Sequence, residues 1–165
     1  MKRYTCLVLD HDDTVVQSEE TVNYPSFLEA LAKLRPGQTI DLATFTRWCF
    51  SPGFAALCLE RFGFSQAELN LQFEMWLQYV RTHIPPVFPG MGDIIRRQKA
   101  EGGLICVVSH SSQENILRDY RTHFDLEPDC IFGWELGNER RKPNPYPLDE
   151  IMKRYGLAAS DMLMV

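Results

Sequence analysis

Asp10, Asp12 and Asp13 put three carboxylates within four residues, and Thr14 follows them directly. Like charges at that spacing repel, so the cluster is costly unless a cation or a substrate proton uses it. The run before it, Cys6-Leu7-Val8-Leu9, is short, apolar, partly β-branched and closed by polar residues, which is the pattern of a buried strand. In an α/β sheet, the C-terminal ends of strands are where ligands bind. The chemistry that suits such a cluster is magnesium-dependent phosphotransfer, with Asp10 as nucleophile. Two other readings compete. A solvated acidic turn is the bland one. A calcium loop would need Asp or Asn, Gly and Glu at its fifth, sixth and twelfth positions. Thr14, Val15 and Thr21 stand there, so that reading fails.

The elements that must position this cluster follow from periodicity. Residues 17–23 are polar and read as a loop leaving the first strand. From Tyr24 to about His83 the pattern is helical. Phe27, Leu28, Leu31 and Leu34 recur at helical spacing, and Pro36-Gly37 stops that helix. Asp41 caps a second helix, Ser51-Pro52 is expected to start a third with Pro at its first position, and Ser65 with Glu68 forms a capping box for a long fourth. Four such helices make a small bundle, and the aromatic stripe Phe73, Trp76, Tyr79 reads as packing.

The stiff connector Ile84-Pro85-Pro86-Val87-Phe88-Pro89-Gly90 returns the chain to alternating strands and helices. Helices are expected over 91–100, 113–123 and 144–155, and strands over 104–108, 130–132 and 162–165. The alternation predicts a Rossmann-like α/β core with a parallel sheet and right-handed crossovers. Residues 1–16 and 85–165 would form that core, with a helical cap, residues 17–84, inserted after the first strand.

Composition narrows the partners. With 165 residues, 45% hydrophobic and 24% charged, the chain is of ordinary globular type. A net charge of −5 without a basic block argues against nucleic acid. The five cysteines form no Cys-x-x-Cys pair, and Cys6 and Cys106 lie in apolar runs. Buried thiols in a reducing cytosol fit them better than disulfides. No leader-like or membrane-length apolar stretch occurs, so a cytoplasmic protein is expected.

Asp10-His11-Asp12-Asp13-Thr14 resembles the first motif, Asp-x-Asp-x-Thr, of the haloacid dehalogenase superfamily. Ser109, closing the apolar run 104–108, matches the second motif, and Lys142 in Lys142-Pro143-Asn144-Pro145 matches the third. Phe88-Pro89-Gly90-Met91 and the helical insertion resemble the phosphoglycolate-phosphatase and β-phosphoglucomutase branch with its C1-type cap. The resemblance spans essentially the whole chain. It implies hydrolysis of a small phosphorylated metabolite, with Asp10 forming an aspartyl-phosphate and Asp12 acting as general acid and base. It further implies phosphate binding by Ser109, His110 and Lys142, and Mg2+ held by Asp10 and Asp12. An acid at position 12 favours phosphate chemistry over dehalogenation, because halide needs no proton to leave. Gln17 and Arg47 are candidates for selecting the substrate.

Two departures accompany the resemblance. Asp13 stands where many relatives have glycine. The fourth motif, acidic metal ligands after the strand 162–165, is not in the sequence, and a longer protein is therefore expected. A sugar-phosphate mutase and a catalytically silent binding module stay open as alternatives, and oligomeric state is not readable.

Overall fold

The computed structural model of the protein describes residues 4–165. Among them, β1 (Cys6–Leu9), β2 (Leu104–Val108), β3 (Cys130–Phe132) and β4 (Met162–Met164) form one parallel sheet in the order β3-β2-β1-β4. Leu7 registers with Ile105 and with Leu163, and Cys106 with Cys130. Successive strand side chains point to opposite faces. Leu7, Leu9, Ile105 and Val107 therefore meet Val15, Val16, Ile95, Ile116 and Tyr120 on one side. Cys6, Val8, Cys106, Val108 and Cys130 meet Ile151 on the other. Both faces being covered explains why 104–108 is continuously apolar rather than alternating. All five cysteines are free, and Cys6, Cys58, Cys106 and Cys130 are buried. The chain runs outward from β1 to β2 and β3, then returns to the other side of β1. The order reverses at β1, so the carboxyl end of that strand is the topological switch point.

Residues 18–85 make a second compact unit. A π-helical turn, Glu19–Asn23, leads into α1 (Tyr24–Leu34). Next come α2 (Leu42–Trp48), α3 (Phe54–Ala56), which runs on as a π-helical turn over Leu57–Arg61, and α4 (Gln66–Thr82). Asp41 accepts the Thr44 N–H at 2.8 Å and caps α2, as expected. The Ser65/Glu68 capping box opens α4. Phe27 lies at the centre with no exposure, ringed by Phe45, Phe54, Phe62 and Phe64 at centroid distances of 5.2 to 6.5 Å. Two expectations change here. Ser51-Pro52 does not start α3, because Ser51 is extended and Gly53, at φ +125°, holds a conformation open to glycine; the helix begins at Phe54. The aromatic stripe of α4 packs only in part: Phe73 is 45% exposed, though it stacks on the half-buried Trp76, whose Nε1 donates to Asn23, and Tyr79 is half-buried. The buried side chains of α4 are instead Gln72 and Val80.

Arg35 joins the ends of these helices. Its guanidinium grips Glu68 through two bonds of 2.7 and 3.0 Å and also donates to the carbonyls of Phe62 and Gly63. Those bonds from Arg35, with the Ser65 N–H, hold the Glu68 carboxyl at about 2 rather than its ordinary 4.5. A depressed carboxyl adds stability that is complete above the unfolded value and disappears as pH falls toward the folded one. Glu68→Gln keeps an acceptor for Ser65 but loses the charge. Its melting temperature should lie below wild type at pH 6 and converge with it between about pH 4.5 and 2. Thermal unfolding of the two proteins across that range checks this.

The chain leaves and re-enters the sheet unit side by side. Gln17 N–H donates to Pro86 and Phe88 N–H to Val15, and Val16 bridges Val87. Then follow α5 (Met91–Ala100), α6 (Gln113–Phe124) and α7 (Tyr146–Tyr155). The last starts later than the expected residue 144, because the Asn144 side chain accepts the Tyr146 N–H and makes a turn instead of a helical repeat. No helix among the described residues is long and apolar enough to cross a membrane.

Candidate active site

The site forms where β1 ends. Asp10 is fixed first through its backbone, whose N–H donates to the Val165 carbonyl at 2.9 Å and so extends the β1–β4 ladder by one residue. Its carboxylate accepts the His11 N–H on Oδ1 at 2.7 Å, and its Oδ2 lies 2.7 Å from Lys142 Nζ. The chain then turns sharply. The His11 carbonyl accepts from the N–H groups of Thr14, Val15 and Val16, and Asp13 sits at φ +51°. That left-handed conformation is one that Asp tolerates better than most residues, and it is the physical reason glycine also suits the position.

Asp12 faces the end of β2. Its Oδ2 accepts the Ser111 hydroxyl at 2.5 Å, and the Ser109 hydroxyl lies 3.4 Å away. Ser109 is held in turn: its N–H donates to Phe132 and its Oγ accepts the Ser111 N–H. Ser112 then caps α6 by accepting the Asn115 N–H. The exposed His110 ring donates from Nε2 to the Lys142 carbonyl at 3.1 Å, since a carbonyl can only accept. This ties the loop after β2 to the loop that carries Lys142.

All five residues singled out in the sequence, Asp10, Asp12, Ser109, His110 and Lys142, therefore converge from three separate segments on one strand end. Ser111 was not singled out, although it makes the shorter contact to Asp12. Its position two residues after Ser109 was the available signal, because side chains that alternate along an extended turn return to the same side. Gln17 turns its amide onto the Val87 carbonyl at 3.3 Å. Arg47 lies on α2 in the helical unit.

The two carboxylates meet different surroundings. Asp10 faces a cation at contact distance and is 32% exposed, which suits an anion that must be reached by a substrate. Asp12 has one oxygen, Oδ2, held by two hydroxyls. Among the described residues, no group of three or more His, Cys, Asp or Glu side chains is arranged to hold a metal ion. The oxygens available at the strand end are the Asp10 carboxylate and the Asp12 carbonyl, hard donors of the class that magnesium takes together with water.

No family model and no curated protein matches the chain. Its fold does match solved structures closely. A predicted phosphoglycolate phosphatase from Haemophilus somnus superposes with a TM-score of 0.81 at 18% identity, covering 99% of this chain and 77% of that one. A haloacid dehalogenase-like hydrolase from Bacteroides fragilis gives 0.78 at 20% identity, covering 98% and 77%. CbbY from Rhodobacter sphaeroides, in complex with phosphate, gives 0.72 at 17% identity, covering 98% and 76%. At these identities the likeness is one of fold: the chain has the α/β architecture of haloacid dehalogenase-like hydrolases.

Proposed function

We propose that this chain is a haloacid dehalogenase-type phosphatase that hydrolyses a small phosphate monoester, with magnesium, through an aspartyl-phosphate on Asp10. The observation that carries the reading is the pairing at one strand end of two differently held carboxylates, Asp10 on Lys142 and Asp12 on Ser111 and Ser109. The folds that resemble it include CbbY in complex with phosphate and, in another structure, with xylulose-1,5-bisphosphate, which supports a phosphorylated substrate.

Phosphoryl transfer asks mainly for positioning and charge stabilisation. Lys142 and the Ser109 hydroxyl bind the phosphoryl oxygens, with His110 keeping the Lys142 loop in place. Asp10 attacks phosphorus, the bond to the leaving oxygen breaks, and Asp12 gives that oxygen its proton. Asp12 then takes a proton from water, which attacks phosphorus and releases inorganic phosphate with Asp10 restored. The Asp10 carboxylate and the Asp12 carbonyl would hold magnesium, which would supply charge neutralisation for the approach of one anion to another. The helical unit, residues 18–85, serves in this reading as the cap that selects the substrate.

Turnover of a generic aryl phosphate, measured against magnesium concentration, tests the proposal. Release of phosphate that rises with magnesium and stops in chelator is the expected result. An intact protein without turnover at any magnesium level would turn the reading to a silent binding module.

A further inference from the structure

Between the two carboxylates of the proposed site lies a residue whose groups are almost all committed. His11 is 1% exposed. Its N–H donates to Asp10 and its carbonyl gathers three N–H groups of the following turn. Its ring reaches away from the site, as alternation along an extended chain requires when residues 10 and 12 face it. There Nε2 lies 3.0 Å from Asp119 Oδ2 on α6. Asp119 is itself 2% exposed, and its other oxygen is held by the Arg118 guanidinium at 2.7 and 2.8 Å. A carboxylate only accepts, so His11 Nε2 is the donor. The remaining ring nitrogen, Nδ1, is buried without a hydrogen-bond partner, beside Tyr120 at a ring distance of 6.0 Å.

An apolar side chain would fill this place more cheaply. The ring lies beside Tyr120, which belongs to the buried apolar cluster of Leu9, Val15 and Ile116. Burying a polar ring and a carboxylate there is costly unless each satisfies the other. What the pair adds over apolar packing is direction: a hydrogen bond of 3.0 Å between rigid elements sets the place of residue 11 along and across α6. The other end of α6 follows the Ser109–Ser112 turn, which holds Asp12. The Asp10–Asp12 loop is thus held twice, by Ser111 of the turn that leads into α6 and by Asp119 on α6 itself.

We propose that His11 and Asp119 are positioning residues for the proposed phosphoryl transfer: their buried bond locks the Asp10–Asp12 loop to α6 in the geometry that attack and proton transfer need. The inference rests on the phosphatase reading for its kinetic readout, but not for its structural one. Neither residue touches substrate.

Three variants separate positioning from mere stability. His11→Leu leaves Asp119 Oδ2 buried without its donor, with Arg118 still on Oδ1, and lowers stability. His11→Gln can keep a donor toward Asp119. The double variant His11→Leu with Asp119→Leu removes both buried polar groups and leaves Arg118, whose side chain is 24% exposed, to turn to water, so it regains most of the lost stability. A positioning role predicts that the double variant folds yet keeps a kcat about 10- to 100-fold below wild type with KM little changed. His11→Gln should recover most of the loss. Hydrogen exchange at the Thr14, Val15 and Val16 amides should speed up at least tenfold in the double variant, while the β2 amides keep their wild-type protection. Wild-type kcat and wild-type exchange in a folded double variant would overturn the proposal. If wild type itself shows no phosphatase activity, the functional reading fails instead, and the exchange experiment alone decides whether the pair locks the loop.

Discussion

Asp10→Asn should remove turnover of an aryl phosphate by about 10⁴-fold or more, the scale on which loss of a nucleophile acts, and leave the protein folded. The two halves of that expectation have separate causes. The amide has the shape of the carboxylate, and its oxygen can still accept the His11 N–H that Asp10 accepts at 2.7 Å. The bond from the residue 10 N–H to Val165 belongs to the backbone and is untouched. What disappears is the anionic oxygen and its pairing with Lys142. Both side chains of that pair are partly exposed, 23% and 32%, so its contribution to stability is at most about 1 kcal/mol. A melting temperature within a few degrees of wild type, with no measurable turnover, is the expected outcome. Residual activity above a few per cent would mean that another group attacks phosphorus.

The largest expected effect on stability lies in the helical unit. Phe27→Ala should cost about 3–5 kcal/mol, the range for deleting a buried aromatic ring and leaving a cavity. Phe27 has no exposed surface and four phenylalanine rings surround it. These neighbours come from α2, α3 and the segment after α3, so they cannot all move inward to fill the gap. The loss is comparable to the whole stability of many small domains. Phe50→Ala is the control. That ring is 93% exposed, so its removal should change stability by less than about 0.5 kcal/mol. Urea unfolding of the three proteins checks the contrast. Equal midpoints for Phe27→Ala and Phe50→Ala would contradict this account of the core.

How much of this is written in the chain depends on the range over which each feature is decided. The strand before Asp10, the capping box at Ser65 and the parallel alternation after Gly90 rest on neighbouring residues, and they were legible. Three motifs, two at strand ends and one in the loop before α7, were enough to foresee that Asp10, Asp12, Ser109 and Lys142 meet. The His11–Asp119 bond joins residues 108 positions apart. It depends on how α6 packs against the sheet, which no local pattern records. A histidine between two aspartates also hides in the sequence, because it looks as polar as its neighbours while its ring lies in the core. The stripe Phe73, Trp76, Tyr79 held only in part, since Phe73 is exposed while Trp76 and Tyr79 are half-buried. Helical spacing shows which residues share a face, but not whether anything covers it. Pro52 looked like a helix start because proline favours that position. The glycine after it, at a backbone angle that interrupts a helix, moved the start to Phe54.

Attack by Asp10 would leave that residue phosphorylated, and an acyl phosphate has a chemistry of its own. Borohydride reduces an acyl phosphate to an alcohol but leaves a free carboxylate alone, so a trapped aspartyl-phosphate becomes homoserine. The measurement is a rapid quench of the enzyme during turnover of an aryl phosphate with magnesium, followed by borohydride reduction and peptide mapping. Homoserine at position 10, present with substrate and absent without it, is the predicted result. Turnover that continues while position 10 remains aspartate at every quench time would show that Asp10 is not the nucleophile.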